Sequence, residues 1–338
     1  MDRQEDRKSV VLDMNRRIPL TGTKSTGFFE TSLASQMYWQ KVVPATEIKG
    51  AVFYFHGYAD HASWFIHDHM MNFVENGYLV IAVDYPGHGL SSGLHCYIKS
   101  FPNLVKQLQE FIVYHLKNTE MLDLPLFFVG ESMGAMCATN VWNLLTKDGS
   151  TDLVKNLKGI VMIAPLCGLA PNAAPSPPMR AFLNILATLF PTKAWVPQAA
   201  MNDRAVKVPE VRQEALKNTL YYRGAPRCRT ALELLVASEN MAALAVKASF
   251  PLLICHGSDD IITNPSASQN FFEASPSTDK TMLLYDGVWH SMLSGEPKET
   301  SFRIYSDIFE WMNTRVEEGS QVSNRFDRVV IDSLPLSA

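Results

Sequence analysis

Ser132 stands at the centre of Gly130-Glu131-Ser132-Met133-Gly134, behind the apolar run Leu126-Phe127-Phe128-Val129 and ahead of a helix-like stretch from Ala135 to Thr146. A serine hydroxyl is a weak nucleophile until a neighbouring base takes its proton and an orienting acid holds that base. Both partners are present further along, each just after a short apolar run. Leu252-Leu253-Ile254-Cys255 leads into His256-Gly257-Ser258-Asp259-Asp260, and Lys280 to Tyr285 leads into Asp286-Gly287-Val288-Trp289-His290. The chemistry this permits is acyl transfer: His290 takes the serine proton and later returns it to the leaving alcohol, while an aspartate fixes the imidazole tautomer. Asp260 and Asp259 compete for the acid's place, because neighbours leaving a strand end point in different directions and only one faces the histidine. The developing oxyanion needs two backbone N–H groups. Met133, next to the nucleophile, offers one, and Tyr58 in His56-Gly57-Tyr58-Ala59-Asp60 offers the other.

The remaining polar residues read more plainly. His61, His67 and His69 suggest metal spacing, but no carboxylate or thiol grouping completes a site, and Asp60 and Asp68 suit a solvated loop. No metal and no cofactor is expected. His88, in Pro86-Gly87-His88-Gly89, reads as loop support rather than as the base. The five cysteines are scattered, without a C-x-x-C pair, and are expected as buried free thiols in a reducing, cytoplasmic compartment. A net charge of -4 over 338 residues argues against a nucleic-acid partner. The charged N-terminus lacks the apolar core of a secretory signal, and no apolar window is long enough to cross a membrane.

The elements that must position these residues alternate between two periods. Continuous apolar runs at 51–55, 78–83, 126–129, 158–164, 252–255 and 280–285 read as buried strands. Helical patterns at 64–76, 101–119, 135–146, 264–274 and 302–316 separate them. Residues 28–43 suit one or two antiparallel edge strands. The alternation predicts an α/β fold, a mostly parallel central sheet with helices on both faces. The sheet core is expected from 26–165 and 251–316. Between them, 166–250 opens with a proline-rich stretch and continues with helical patterns, too long for a loop and therefore a helical insertion. Residues 1–25 are expected to form a mobile arm and 317–338 a poorly ordered tail. Every candidate catalytic residue falls at the carboxyl end of an expected strand, where such sheets place their sites.

With these residues in hand, the chain resembles the monoacylglycerol lipase and lysophospholipase-like branch of the α/β-hydrolase superfamily, and most closely its plant-type members, which include caffeoylshikimate esterase. The resemblance rests on His56 to Asp60, Asp84 to Ser91, Gly130 to Gly134, Arg227-Cys228-Arg229-Thr230-Ala231, His256 to Asp260 and His290 to Leu293. It implies that Asp260 is the acid, that 166–250 is a cap over the pocket, and that the substrate is a small-molecule ester with one acyl chain or a hydroxycinnamoyl group. On such a cap Met179, Phe182, Leu183, Leu186 and Leu189 would line an acyl channel, pack against the core or touch a membrane peripherally. Three functions remain open: hydrolysis of monoacylglycerols or related single-chain esters, acyl transfer to an alcohol, and slow-turnover ligand binding on the same fold. Chemistry that needs a carboxylate nucleophile is excluded by Ser132.

Overall fold

A computed structural model describes residues 21–63, 65–171, 174–196, 204–317 and 328–332. The described residues form nine strands: β1 (Gly22–Glu30), β2 (Gln36–Pro44), β3 (Gly50–Phe55), β4 (Tyr78–Val83), β5 (Leu126–Glu131), β6 (Leu157–Ile163), β7 (Leu252–Gly257), β8 (Lys280–Tyr285) and β9 (Arg328–Asp332), the six apolar runs falling on β3 to β8. They make one sheet in the order β1-β2-β4-β3-β5-β6-β7-β8-β9. β1 and β2 pair antiparallel, as do β2 and β4, and every other pair is parallel. Helices α1 (Phe65–Glu75), α2 (Phe101–Asn118), α3 (Met133–Lys147), α4 (Pro177–Leu189), α5 (Pro209–Ala215), α6 (Cys228–Ala245), α7 (Pro265–Ala274) and α8 (Lys298–Glu317) connect them. The pleat of β3 shows how two cores arise from one strand. Phe53 and Phe55 join the layer containing α2, α3, α6 and α7, while Val52 and Tyr54 join the layer containing α1 and α8.

Two boundaries differ from the sequence expectation. β1 already begins at Gly22, so most of the proposed arm, residues 1–20, lies outside the described residues while its end is sheet. The expected disordered tail contains β9, paired in parallel to β8 from Thr281↔Arg328 to Tyr285↔Asp332. A parallel edge needs no hairpin, so a short apolar triplet, Val329-Val330-Ile331, suffices once α8 has carried the chain back. Between β6 and β7 the described chain carries helices α4, α5 and α6 joined by irregular segments, and Leu169 within it makes an isolated antiparallel bridge to Thr263 after β7. The start of α6 is fastened to the core. Arg227 Nε donates to the His95 carbonyl at 2.8 Å, Thr230 Oγ1 accepts from Ile98 N–H at 2.9 Å, and Glu233 accepts from Phe101 N–H at 2.7 Å.

Candidate active site

The turn between β5 and α3 holds Ser132 at φ 53°, ψ −117°, a conformation costly for a residue with a Cβ. Its surroundings enforce that strain. A Cβ on Gly130 would lie 2.6 Å from the Ala135 nitrogen, and one on Gly134 would lie 2.0 Å from the Phe55 carbonyl oxygen. Only glycine at both places lets strand, turn and helix pass so closely. The Ser132 N–H donates to the Ile163 carbonyl at 2.9 Å and its carbonyl accepts from Leu166 at 3.1 Å, which clamps the turn onto the end of β6. Met133 opens α3, so its N–H is among those a helix start leaves without an intrahelical acceptor. Gly57 faces Ser132: a Cβ there would sit 3.6 Å from Ser132 Cβ, which sets the 57–58 loop against the serine. That loop is braced from behind. The His56 ring stacks on Tyr85 at 3.8 Å, and the buried Asp84 carboxylate accepts from Ala62 at 2.6 Å and Leu90 at 2.7 Å.

His290, in the loop after β8, bonds through Nδ1 to Asp260 Oδ2 at 2.7 Å. The other oxygen of Asp260 accepts from Ile262 N–H at 2.8 Å and Thr263 N–H at 3.0 Å, so the turn after β7 aims the carboxylate. Asp259 is exposed and bonds instead to the Ser258 hydroxyl at 3.1 Å. Residues outside the expected site complete the cluster. Thr263 Oγ1 lies 2.7 Å from Asp260 Oδ2 and 3.3 Å from His290 Nδ1, and fully buried His256 bonds Asp260 through Nε2 at 3.2 Å. Burial would raise the Asp260 pKa, but the charge on His290 and the bonds from both imidazoles carry it well below the usual carboxylate range. Burial would lower that of His290, but the Asp260 charge and hydrogen bond, with help from Glu131, leave it raised.

Ser132, His290, Tyr58 and Gly57 line one cavity of about 120 Å³. The helical insertion supplies part of its wall, through Ala205, Val206, Val211, Ala215 and Tyr221. Asp60, Glu131 and His69 also face it, which corrects the reading of Asp60 as part of a solvated loop. Burial pushes Asp60 up to about 7 and Glu131 up to about 8. Glu131 accepts from the Tyr54 hydroxyl and lies 2.8 Å from His69 Nδ1, while burial lowers His69 to about 3. His61 bonds the Asn218 side chain at 3.2 Å. Among the described residues no group of three or more His, Cys, Asp or Glu is arranged to hold a metal ion. His88 is fully buried and bonds the Pro86 carbonyl at 3.2 Å through Nδ1. The five cysteines are buried and free.

This sheet, with a strained serine turn after its central strand and a His–Asp pair at two later strand ends, defines an α/β-hydrolase with the apparatus of a serine ester hydrolase. Comparison with known proteins narrows the class. Residues 46–298 match the family model described as serine aminopeptidase, S33, and the chain belongs to that hydrolase family. It is 31% identical to the caffeoylshikimate esterase of Arabidopsis thaliana over 87% of this chain and 86% of the relative. It is 25% identical to the human monoglyceride lipase over 85% of this chain and 88% of that protein. Among solved structures, a soluble variant of the Saccharomyces cerevisiae monoglyceride lipase bound to a substrate analogue superposes with a TM-score of 0.74 at 20% identity, covering 89% of this chain and 97% of that one.

Proposed function

We propose that the protein hydrolyses monoacylglycerols or related single-chain lipid esters through an acyl-enzyme, with Ser132 as nucleophile, His290 as base and then acid, Asp260 as orienting acid, and the Tyr58 and Met133 N–H groups as the oxyanion hole. The observation that carries the reading is a pair of cavities lined by two chain segments that are bridged to each other. Ile262 lines the catalytic cavity, and Leu169, bridged to Thr263, lines a second cavity of about 360 Å³. The second is apolar, walled by Met179, Phe182, Leu183 and Leu186 of α4 with Leu235 of α6. Residues 166–250 then act as a cap that receives one acyl chain, while Asp60, Glu131 and His69 meet the polar alcohol side. The exposed side of α4 carries Met179, Phe182, Ile185 and Leu189 at helical spacing, each at least half exposed. Such a face suits peripheral contact with a lipid surface from which the substrate is drawn. No helix among the described residues is long and apolar enough to cross a membrane.

A second reading, esterase action on a hydroxycinnamoyl ester, is supported by the higher identity to the plant esterase. The test is hydrolysis by purified protein of a panel comprising a monoacylglycerol, a diacylglycerol, a lysophosphatidylcholine and caffeoylshikimate, with Ser132→Ala alongside. Preference for the monoacylglycerol, abolished in Ser132→Ala, is the expected result. Preference for caffeoylshikimate transfers the assignment to the second reading, and turnover that survives Ser132→Ala refutes both.

A further inference from the structure

Residues 205–208 of the insertion carry no member of the catalytic cluster, yet they are hydrogen-bonded along their length to the loop that presents His290. The Ala205 carbonyl accepts from Ser291 N–H at 2.9 Å, and the Gly295 carbonyl accepts from both Lys207 and Val208 N–H at 2.9 Å. The Lys207 ammonium donates to the Gly287 carbonyl at 2.7 Å. The fit is close: a Cβ on Gly295 would lie 2.4 Å from Ser291 Cβ and 3.2 Å from Val206 Cα. Inside the loop is a carboxylate that the triad does not use. Glu296 is 4% exposed and accepts from the N–H of Trp289, the residue immediately before His290, at 2.7 Å. Lys207 stands 3.7 Å from its other oxygen.

A buried carboxylate is expensive unless it is paired, and a loop that needed only to be closed has backbone carbonyls for the purpose. Here the charge is placed where it fixes the peptide that sets the direction of the His290 side chain, and its counter-ion comes from the insertion. We infer that Glu296 is a positioning residue for His290, and that Lys207 makes this grip depend on the insertion being seated, so that cap docking and base alignment are one event. The inference rests on the triad assigned above.

The test uses the full chain with Glu296→Ala, Glu296→Gln and Lys207→Ala. It reads hydrolysis of a short p-nitrophenyl ester from pH 5 to 9, labelling of Ser132 by a fluorophosphonate, and thermal unfolding. A small displacement of a catalytic group costs on the order of a hundredfold, so Glu296→Ala should lose about 10- to 100-fold in kcat and labelling rate with KM nearly unchanged. Glu296→Gln, whose amide oxygen still accepts from Trp289, should recover most of that. Lys207→Ala, at a side chain 40% exposed and so tolerant of truncation, should lose about three- to tenfold. A base shifted off Asp260 loses the interaction that raises its pKa. Activity requires neutral His290, so the acidic limb of the rate profile should move to lower pH in Glu296→Ala and Lys207→Ala. A merely structural role would lower amplitude with the folded fraction and leave the limb in place. An unmoved limb and kcat within twofold in Lys207→Ala would overturn the inference, even if Glu296→Ala fails to fold. Ser132→Ala and His290→Ala separate this from the triad itself: if His290→Ala labels as fast as wild type, the triad reading fails whatever Glu296 does.

Discussion

Asp260 and Asp259 show how far two adjacent residues of one type diverge when backbone geometry differs. The N–H groups of Ile262 and Thr263 hold one oxygen of Asp260 and turn the other onto His290, whereas Asp259 is exposed beside Ser258. Asp260→Asn should therefore lower kcat by about 10³- to 10⁴-fold through loss of the correct imidazole tautomer, while Asp259→Asn should stay within about twofold. Steady-state kinetics on any cleaved ester checks both, and equal losses would displace Asp260 from the acid's role. Nothing in the two letters separates them; the resemblance to a family favoured Asp260, and the turn after β7 supplies the physical reason. Thr263 and His256 went unrecognised because support of a carboxylate has no signature beyond adjacency in space. The raised pKa of His290 has a consequence for the wild type as well. Activity should fall as pH drops through a value above the ordinary imidazole range near 6.5, and Asp260→Asn should shift that limb downward.

The central strands were legible because burial on both faces demands apolar runs, as in β3 to β7, while β8, only partly buried at Thr281, Leu283 and Leu284, was legible from its Met282-Leu283-Leu284-Tyr285 stretch. β9 was not, because a short pair at the sheet edge draws on so few residues that its signal drowns in the polar tail. Nor was the contact between residues 205–208 and the His290 loop, which is made largely by backbone groups that any sequence could offer. Helix α2 was legible from its apolar stripe, and one member of that stripe carries a cost. His115 is buried against Phe111, Trp39 and Tyr114, and neither ring nitrogen has a hydrogen-bond partner. Burial lowers it to about 4. The unfolded chain takes up a proton near pH 6.5 that the folded chain refuses, so stability is lost as pH falls between those values. The loss approaches about 1.4 kcal/mol per pH unit. His115→Phe should remove this term, and its stability advantage in chemical denaturation should be larger at pH 5 than at pH 8. An advantage independent of pH would show that packing alone is at work.

If the apolar face of α4 meets a lipid surface as proposed, it does so through its exposed side chains. Ile185→Ser combined with Leu189→Ser should reduce co-sedimentation with phosphatidylcholine vesicles about tenfold or more, since each side chain forfeits roughly 1.5–3 kcal/mol of burial on insertion. Turnover of a water-soluble ester should be unchanged. Sedimentation equal to wild type would confine these residues to packing the cap. The connectivity of the sheet has a consequence for the chain as it is made. β6 lies between β5 and β7, and the whole helical insertion separates it from β7 in sequence. At about 5–20 residues per second, the ribosome takes on the order of ten seconds to deliver β7 after β6 has emerged. Through that interval the nascent sheet ends in an open, apolar β6 edge, the kind that recruits foreign strands. Ser132 is already made, while Asp260 and His290 are not. The half-built protein is thus sticky before the proposed triad is complete, and the demand for chaperones should peak while the insertion is being translated.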